Sequence, residues 1–433
     1  MTATVTGRTL QQWLDYQQRV HARGIDLELE RVREVWRWMG APRIARAVIT
    51  VGGTNGKGST VAFLEAMLRA AGKRVGAYTS PHILRYNERV RVDGVDAGDE
   101  ALIAAFERIE TARGGNNADA IPLTYFEFGT LAALDIFSRA ALDVALLEVG
   151  LGGRLDAVNI IDADAAIVTT VDLDHMEYLG NDRESIGREK GGIFRAGKPA
   201  IIGEADPPHS LVESASRIGA RTLRHGVDYA ARFENDGWIW CSGGAQMHLP
   251  MPKLSAPAQL ANAAAAITVL HSLQDSFGWN PDAIVRGVRE ARAPGRLQQI
   301  AVAPQVIVDV AHNPQAAHEL ARWLDANPVR GNTHAVFGAL SDKDVAGVVR
   351  ALHPHISRWD LAGLEHDSPR GLPVAEFASR VRVAAPHATI GEHIDVATAL
   401  CAARAAANAD DRIIVFGSFF VVAAVMRQLG SLG

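Results

Sequence analysis

The stretch Val48 to Ser80, VITVGGTNGKGSTVAFLEAMLRAAGKRVGAYTS, constrains this chain more than any other. Ala47 to Val51 is a largely β-branched run, and Gly52, Gly53 and Gly56 interrupt it. Val61, Leu64, Met67, Leu68 and Ala71 then recur at helical spacing until Gly72 stops the helix. Strand, glycine loop, helix and second strand in one run open a parallel α/β sheet. Backbone N–H groups of such a loop, with the positive end of the helix behind them, form an anion site suited to nucleotide phosphates. Lys57 adds a mobile positive charge to it.

The common phosphate-loop pattern has a glycine five residues before its Gly-Lys pair and a hydroxyl directly after the lysine. Here position 51 is valine and Gly58 follows Lys57, so the hydroxyl arrives at Ser59. In this form, G-T-N-G-K-G-S, the loop resembles the ATP loop of the Mur ligase superfamily, and within it the folylpolyglutamate synthase and dihydrofolate synthase branch. The resemblance implies that Gly56, Lys57, Gly58 and Ser59 bind ATP.

At 433 residues the chain exceeds what one core usually serves, so two domains are expected. A net charge of −5 argues against nucleic-acid binding by charge, while leaving room for small anionic substrates at a local patch. Cys241 and Cys401 are too few for a disulfide framework or a zinc site, which fits a reducing cytoplasm. The N-terminus, MTATVTGRTLQQWLDY, lacks a basic region followed by an apolar segment. The apolar stretch Ile413 to Met426 is interrupted by Gly417 and Ser418 and is too short to cross a bilayer. A cytoplasmic monomer without membrane or nucleic-acid partners is expected.

Three further strand ends carry chemistry. Ser80 closes the strand Arg74 to Thr79 and precedes Pro81, which marks a loop. Glu148 stands near the end of the buried-strand pattern Leu142 to Val149, where a carboxylate is costly unless paired or bound to a metal. His175 follows the strand Ala165 to Val171 within DLDHMEYLG. Ligands of open parallel sheets lie outside the strand carboxyl ends, and all three residues meet that condition together with the phosphate loop. A serine there is ordinarily a cap and a histidine a hydrogen-bonded loop residue. The S-P-H…N-E-R and LDH segments resemble family motifs, which implies Ser80, Glu148 and His175 as metal ligands for magnesium, two ions in all. Magnesium prefers oxygen, so an imidazole ligand rests on the resemblance alone.

Lys190 lies in SIGREKGGIFR, where a lysine beside Glu189 is ordinarily a salt-bridge partner. The segment resembles the family's E-K-A-G-I motif, with Gly191 in place of alanine, and the resemblance implies a lysine carbamylated by CO₂. That chemistry needs the free amine. On the substrate side, the resemblance assigns the pterin to Gly24, Ile25, Asp26 and Leu27 of GIDLELERV. It adds Thr124, Tyr125, Phe126 and Glu127 at a helix start that follows the Gly/Asn-rich loop 111–120, and Leu155, Asp156 and Ala157. Read as residues alone, these are a turn, core aromatics and a loop.

Residues 226 to 256 read as short strands and turns, before the helix QLANAAAAITVL. The family motif places Asn262 of this helix near the adenine. Ala293-Pro294-Gly295-Arg296 breaks the chain, giving domains of 1–296 and 297–433, and the C-terminal part alternates strand and helix as a smaller Rossmann-like parallel-sheet domain. Arg296 resembles the family arginine that reaches the ATP phosphates; a solvated linker arginine is the rival reading. Asp309, in DVAHNP, resembles an ATP-contacting aspartate, and His312 and Ser418 are expected to face L-glutamate. The implied reaction is ATP-dependent ligation of L-glutamate to dihydropteroate and to the glutamyl tail of reduced folates through an acyl phosphate. A folylpolyglutamate synthase alone and another Mur-type amino-acid ligase are the alternatives.

Overall fold

The computed structural model describes residues 7–430 apart from 116, 118 and 235. The first six residues of the N-terminal segment and two of the Gly/Asn-rich loop 111–120 thus lie outside the described residues. The chain divides into two compact units. One holds the residues up to Pro81, Tyr86–Lys253 and Leu260–Ala291, and the other His82–Arg85, Leu254–Gln259 and the chain from Arg292 onward.

The first unit opens with helices α1 (Leu10–Val20) and α2 (Glu30–Trp38), which bury Trp13, Val32, Val35 and Trp36. Its sheet has eight strands: β1 (Ala47–Gly52), β2 (Val75–Tyr78), β3 (Val90–Val92), β4 (Val95–Asp96), β5 (Val144–Glu148), β6 (Ala165–Val168), β7 (Pro199–Ile202) and β8 (Arg221–Arg224). Their order is β4-β3-β2-β5-β1-β6-β7-β8. From β2 to β8 every pairing is parallel, whereas β3 and β4 form an antiparallel edge. β1, β5, β6 and β7 are buried along their whole length, as strands covered by helices on both faces must be. The helices around them include α3 (Lys57–Ala70), α4 (Asp99–Ala112), α5 (Tyr125–Arg139), α6 (Met176–Leu179), α7 (Arg183–Gly191), α8 (His209–Ile218) and α9 (Gln259–Ser272). A three-stranded antiparallel meander, β9 (Tyr229–Glu234), β10 (Gly237–Ser242) and β11 (Ala245–Pro250), accounts for the short strands read there.

The second unit is a six-stranded sheet, ordered β12-β13-β17-β14-β15-β16. Its strands are β12 (Gln298–Val302), β13 (Gln305–Val308), β14 (Thr333–Phe337), β15 (Arg358–Ala362), β16 (Ile390–His393) and β17 (Arg412–Phe416). Two of these, β12 and β16, were not expected. Both are edge strands with half-exposed, polar sequences, QQIAV and IGEH, so neither shows the apolar run that marks an inner strand. The strand expected over Ala165 to Val171 ends at Val168, because the backbone of Thr170 and Val171 bonds to loops instead of the ladder. Among the described residues no helix is long and apolar enough to cross a membrane.

α3 runs against the helix Pro281–Glu290 at very short range. A Cβ on Gly287 would stand 2.5 Å from Cα and 2.6 Å from N of Met67, which are backbone atoms that cannot swing aside. Alanine would gain about 1 kcal/mol in helix propensity over glycine, but overpacking typically costs about 1–3 kcal/mol. Gly287→Val is therefore expected to lower the melting temperature in a thermal denaturation scan, and Gly287→Ala to do so by less.

Candidate active site

Register places the site. Val51 pairs with Glu148 on one side of β1, and Gly52 pairs with Val168 on the other, so three strand carboxyl ends lie side by side at the point where the chain order reverses. The loop leaving β1 takes two left-handed glycines, Gly53 at φ 143° and Gly56 at φ 88°, and α3 begins at Lys57 directly after the second. A Cβ on Gly53 would fall 1.9 Å from Thr169 Oγ1, and one on Gly56 would fall 2.6 Å from Asn262 Oδ1. Asn262, within α9 and buried, thus lies against the phosphate loop. Lys57 curls back over that loop, its Nζ donating to the carbonyls of Gly53 at 2.9 Å and Thr54 at 3.2 Å. Gly58 continues the first turn of α3, and Ser59 there is buried.

The segment after β6 is latched to this loop. Thr54 N donates to Thr170 O, Asn55 N to Thr170 Oγ1, and Thr169 Oγ1 to Asn55 O at 2.6 Å. The Thr54 hydroxyl donates to Asp172 O and accepts from Asp172 N. Sequence reasoning missed Thr169 and Thr170; two hydroxyl residues in a row at a strand end were the available signal.

Glu148 is buried at the end of β5, and its Oε2 accepts from Ser80 N at 3.2 Å. The structure thus joins these two expected ligands. A serine hydroxyl and a carboxylate, with phosphate oxygens and water completing the shell, form a hard donor set that fits magnesium. His175 is half-buried, with a left-handed backbone at φ 51°, and follows Asp174, whose Oδ1 lies 4.0 Å from its Nε2. Among the described residues no group of three or more His, Cys, Asp and Glu side chains is placed to hold an ion alone. The oxygen of Ser80 is outside such a count, as are substrate oxygens.

Lys190 sits near the end of α7, 3 % exposed. Burial, reinforced by the charge of Lys57, pushes its pKa down to about 7, against the opposing pull of Asp174, Asp156 and Glu204. Asp156 is buried as well and caps the turn Ala157–Ile160, accepting from Leu151 N at 2.8 Å and Val158 N at 3.0 Å. Burial outweighs these bonds and lifts its carboxyl to about 6. Leu155 and Ala157 flank it, half-buried and buried respectively.

On the expected pterin side, Phe126 lies across Gly150, where a Cβ would meet its ring at 2.5 Å, and packs 6.0 Å from Tyr78. Tyr125 meets Tyr86 edge-on at 5.7 Å, and the Arg89 guanidinium lies over both rings. Thr124 and Glu127 form a reciprocal capping box at the start of α5. Both Glu127 oxygens also accept from Arg31 Nε, and Arg31 holds the Asp26 side chain and carbonyl at 2.7 Å each. Glu127 therefore ties the Gly24–Leu27 turn to α5. Ile25 and Leu27 are half-buried and Gly24 exposed.

In the second unit, half-buried Asp309 accepts from Leu297 N at 2.8 Å and Ala311 N at 2.7 Å. Burial raises its pKa, with Arg296 opposing. Arg296 lies 5.3 Å from the centre of the Phe419 ring, His312 Nδ1 is 2.9 Å from Val310 O, and buried Ser418 caps the final helix through Val421 N. Arg296, Asp309, His312 and Ser418 thus gather at the carboxyl ends of β13 and β17.

Family models describe two parts of the chain, the Mur ligase middle domain at residues 51–270 and the Mur ligase glutamate ligase domain at 295–419. The dihydrofolate synthase/folylpolyglutamate synthase of Escherichia coli (strain K12) is 45% identical over 97% of this chain and 95% of its own length. A solved structure of Escherichia coli FolC in complex with DHPP and ADP superposes with a TM-score of 0.91 at 44% identity, covering 98% of this chain and 99% of that one. A bifunctional folylpolyglutamate synthase/dihydrofolate synthase solved with Mn, AMPPNP and L-glutamate bound gives 0.88 at 44% identity, covering 99% and 100%.

An alanine at Gly56 would combine a left-handed backbone, costing about 1–3 kcal/mol, with a clash against Asn262. Gly56→Ala is expected to weaken ADP binding about tenfold or more, as read by titration calorimetry.

Proposed function

The chain belongs to the dihydrofolate synthase/folylpolyglutamate synthase family of Mur ligases, and we propose how its own residues carry that family's chemistry. The enzyme is an ATP-dependent carboxylate–amine ligase that adds L-glutamate to dihydropteroate and to the glutamyl tail of reduced folates. The γ-phosphoryl group of ATP passes to a substrate carboxylate, and the amine of L-glutamate attacks the resulting acyl phosphate and expels phosphate. The observation that carries this reading is the side-by-side placement of the Lys57 loop, Glu148 and the Thr169–His175 segment at adjoining strand ends.

In this reading the backbone N–H groups of Gly56, Gly58 and Ser59 hold the ATP phosphates, and the Lys57 ammonium leaves its loop carbonyls to neutralise charge on the transferring group. Asn262 keeps the loop in shape from behind. Ser80, Glu148 and His175 would hold magnesium, which when bound screens phosphate charge from the attacking carboxylate. Lys190, neutral from about pH 7 upward, is proposed to take up CO₂ and become an anionic oxygen ligand. Phe126, Tyr125 and Asp156 line the pterin side, with Asp156 a hydrogen-bond partner for ring nitrogens. Leu155, Ala157 and the Gly24–Leu27 turn complete that side. Arg296 and Asp309 are proposed as ATP-binding residues, and His312 and Ser418 as residues for L-glutamate. Domains of 1–296 and 297–433, two magnesium ions, a monomeric state and a cytoplasmic location belong to the same proposal; the oxygen donor set and the scarcity of cysteine support the ion and the location.

Purified protein with MgATP and L-glutamate is expected to release ADP with dihydropteroate in one vessel and with tetrahydrofolate in another. Release with tetrahydrofolate alone would reduce the enzyme to polyglutamylation, and silence in both would sink the folate reading.

CO₂ adds only to a neutral amine. Because burial favours that form down to about pH 7, kcat is expected to fall as pH drops through about 7 and to recover with added bicarbonate. Lys190→Met is expected to lose about a hundredfold in kcat or more and to lose the bicarbonate response.

A further inference from the structure

Val171 follows β6 and is wholly buried, yet neither of its peptide groups joins the sheet ladder. Two charged side chains take them instead. Glu204 Oε2, just past β7, accepts from Val171 N at 2.9 Å, and Arg183 Nε, at the start of α7, donates to Val171 O at 2.9 Å. The same two side chains pair with each other at 3.0 Å, and Arg183 also donates to Asp206 O at 2.7 Å. Val171 is thereby gripped on both sides by one ion pair. Immediately before and after it lie Thr169, Thr170 and Asp172, the residues that bond the phosphate loop through Thr54 and Asn55. A Cβ on Gly203 would come within 2.8 Å of Thr169 O, so the end of β7 also abuts this segment by backbone.

We infer that Arg183 and Glu204 are positioning residues for nucleotide binding: through the Val171 peptide they fix the 169–172 segment, which in turn fixes the phosphate loop. This rests on the nucleotide-binding reading of that loop. Neither residue hydrogen-bonds the loop itself, so their effect must travel through the bonds that Thr54 and Asn55 make with the 169–172 segment. Arg183 also begins α7, near whose end Lys190 lies, so one ion pair ties the Lys190 helix, the His175 segment and the phosphate loop into a single frame.

The test is ADP affinity by calorimetry in the presence of EDTA, on the full chain, for Arg183→Met and Glu204→Gln alone and each combined with Thr54→Val. Arg183→Met is expected to raise the ADP Kd about five- to tenfold and the KM for MgATP in parallel, leaving the KM for L-glutamate unchanged. Glu204→Gln should act in the same direction but less, since its amide oxygen still accepts from Val171 N. Arg183→Lys should recover part of the loss. On a Thr54→Val background, which removes the hydroxyl link to Asp172 and leaves the Asn55 links, both substitutions should lose part of their effect on Kd. An unchanged Kd with a lower melting temperature would overturn the inference, leaving the pair a purely structural brace, and so would effects that simply add to that of Thr54→Val. Should Arg183→Met fail to fold, Glu204→Gln decides by the same readouts. A parent protein that does not bind ADP would sink the nucleotide reading instead.

Discussion

Parallel pairing of β1 between β5 and β6 is the constraint from which the site follows. A strand buried on both faces must satisfy its backbone through two neighbours, and parallel neighbours leave their carboxyl ends pointing the same way. The residues that follow those ends cannot all remain in the ladder. Their freed peptide groups and short polar side chains therefore turn toward one another, and the loop after β1 becomes a knot of hydrogen bonds with the segment after β6. Asp156 and Lys190 are buried beside half-buried Lys57, where Asp156 attracts both ammonium groups while the two lysines repel each other. The cost that remains appears as the two displaced protonation equilibria of Asp156 and Lys190.

Away from the phosphate loop, ion pairs do the orienting. Arg31 bridges Glu127 and Asp26, and Arg113 is held by Glu110 and the Tyr16 hydroxyl; Glu127, Glu110 and Arg113 are buried and the others half-buried. Such pairs contribute little net stability once desolvation is counted, but breaking one partner away leaves a buried charge. Their geometry is directional in a way that apolar packing is not. They fix how α1, α2, α4 and α5 present the aromatic rings of Tyr125 and Phe126.

The fold was legible in the sequence wherever burial on both faces forced an apolar run, as at Val144–Glu148 or Arg412–Phe416. It was illegible at β12 and β16, whose edge positions leave one side to solvent and so permit glutamine and histidine. In the site, residues that sit at strand ends or in glycine loops announced themselves by local pattern: Lys57, Glu148, His175. The resemblance assigns Glu127 to the substrate side, and the structure adds that its Oε2 closes the capping box while both its oxygens accept from Arg31. The bond to Arg31 was illegible because Arg31 lies 96 residues away, and no local spacing reports such a bond. Glu204 and Arg183 were invisible for the same reason, since their common partner is a backbone peptide with no side-chain signature.

The resting place of Lys57 gives the loop a property of its own. Its ammonium donates to the Gly53 and Thr54 carbonyls and so acts as a cross-brace within the loop. On the proposed reading, phosphate oxygens meet a lysine that the loop already holds, so little ordering entropy is left to lose at that step. A substitution that removes its charge, such as Lys57→Met, would then loosen the loop as well as weaken its hold on phosphate, and the measured loss would be the sum of both.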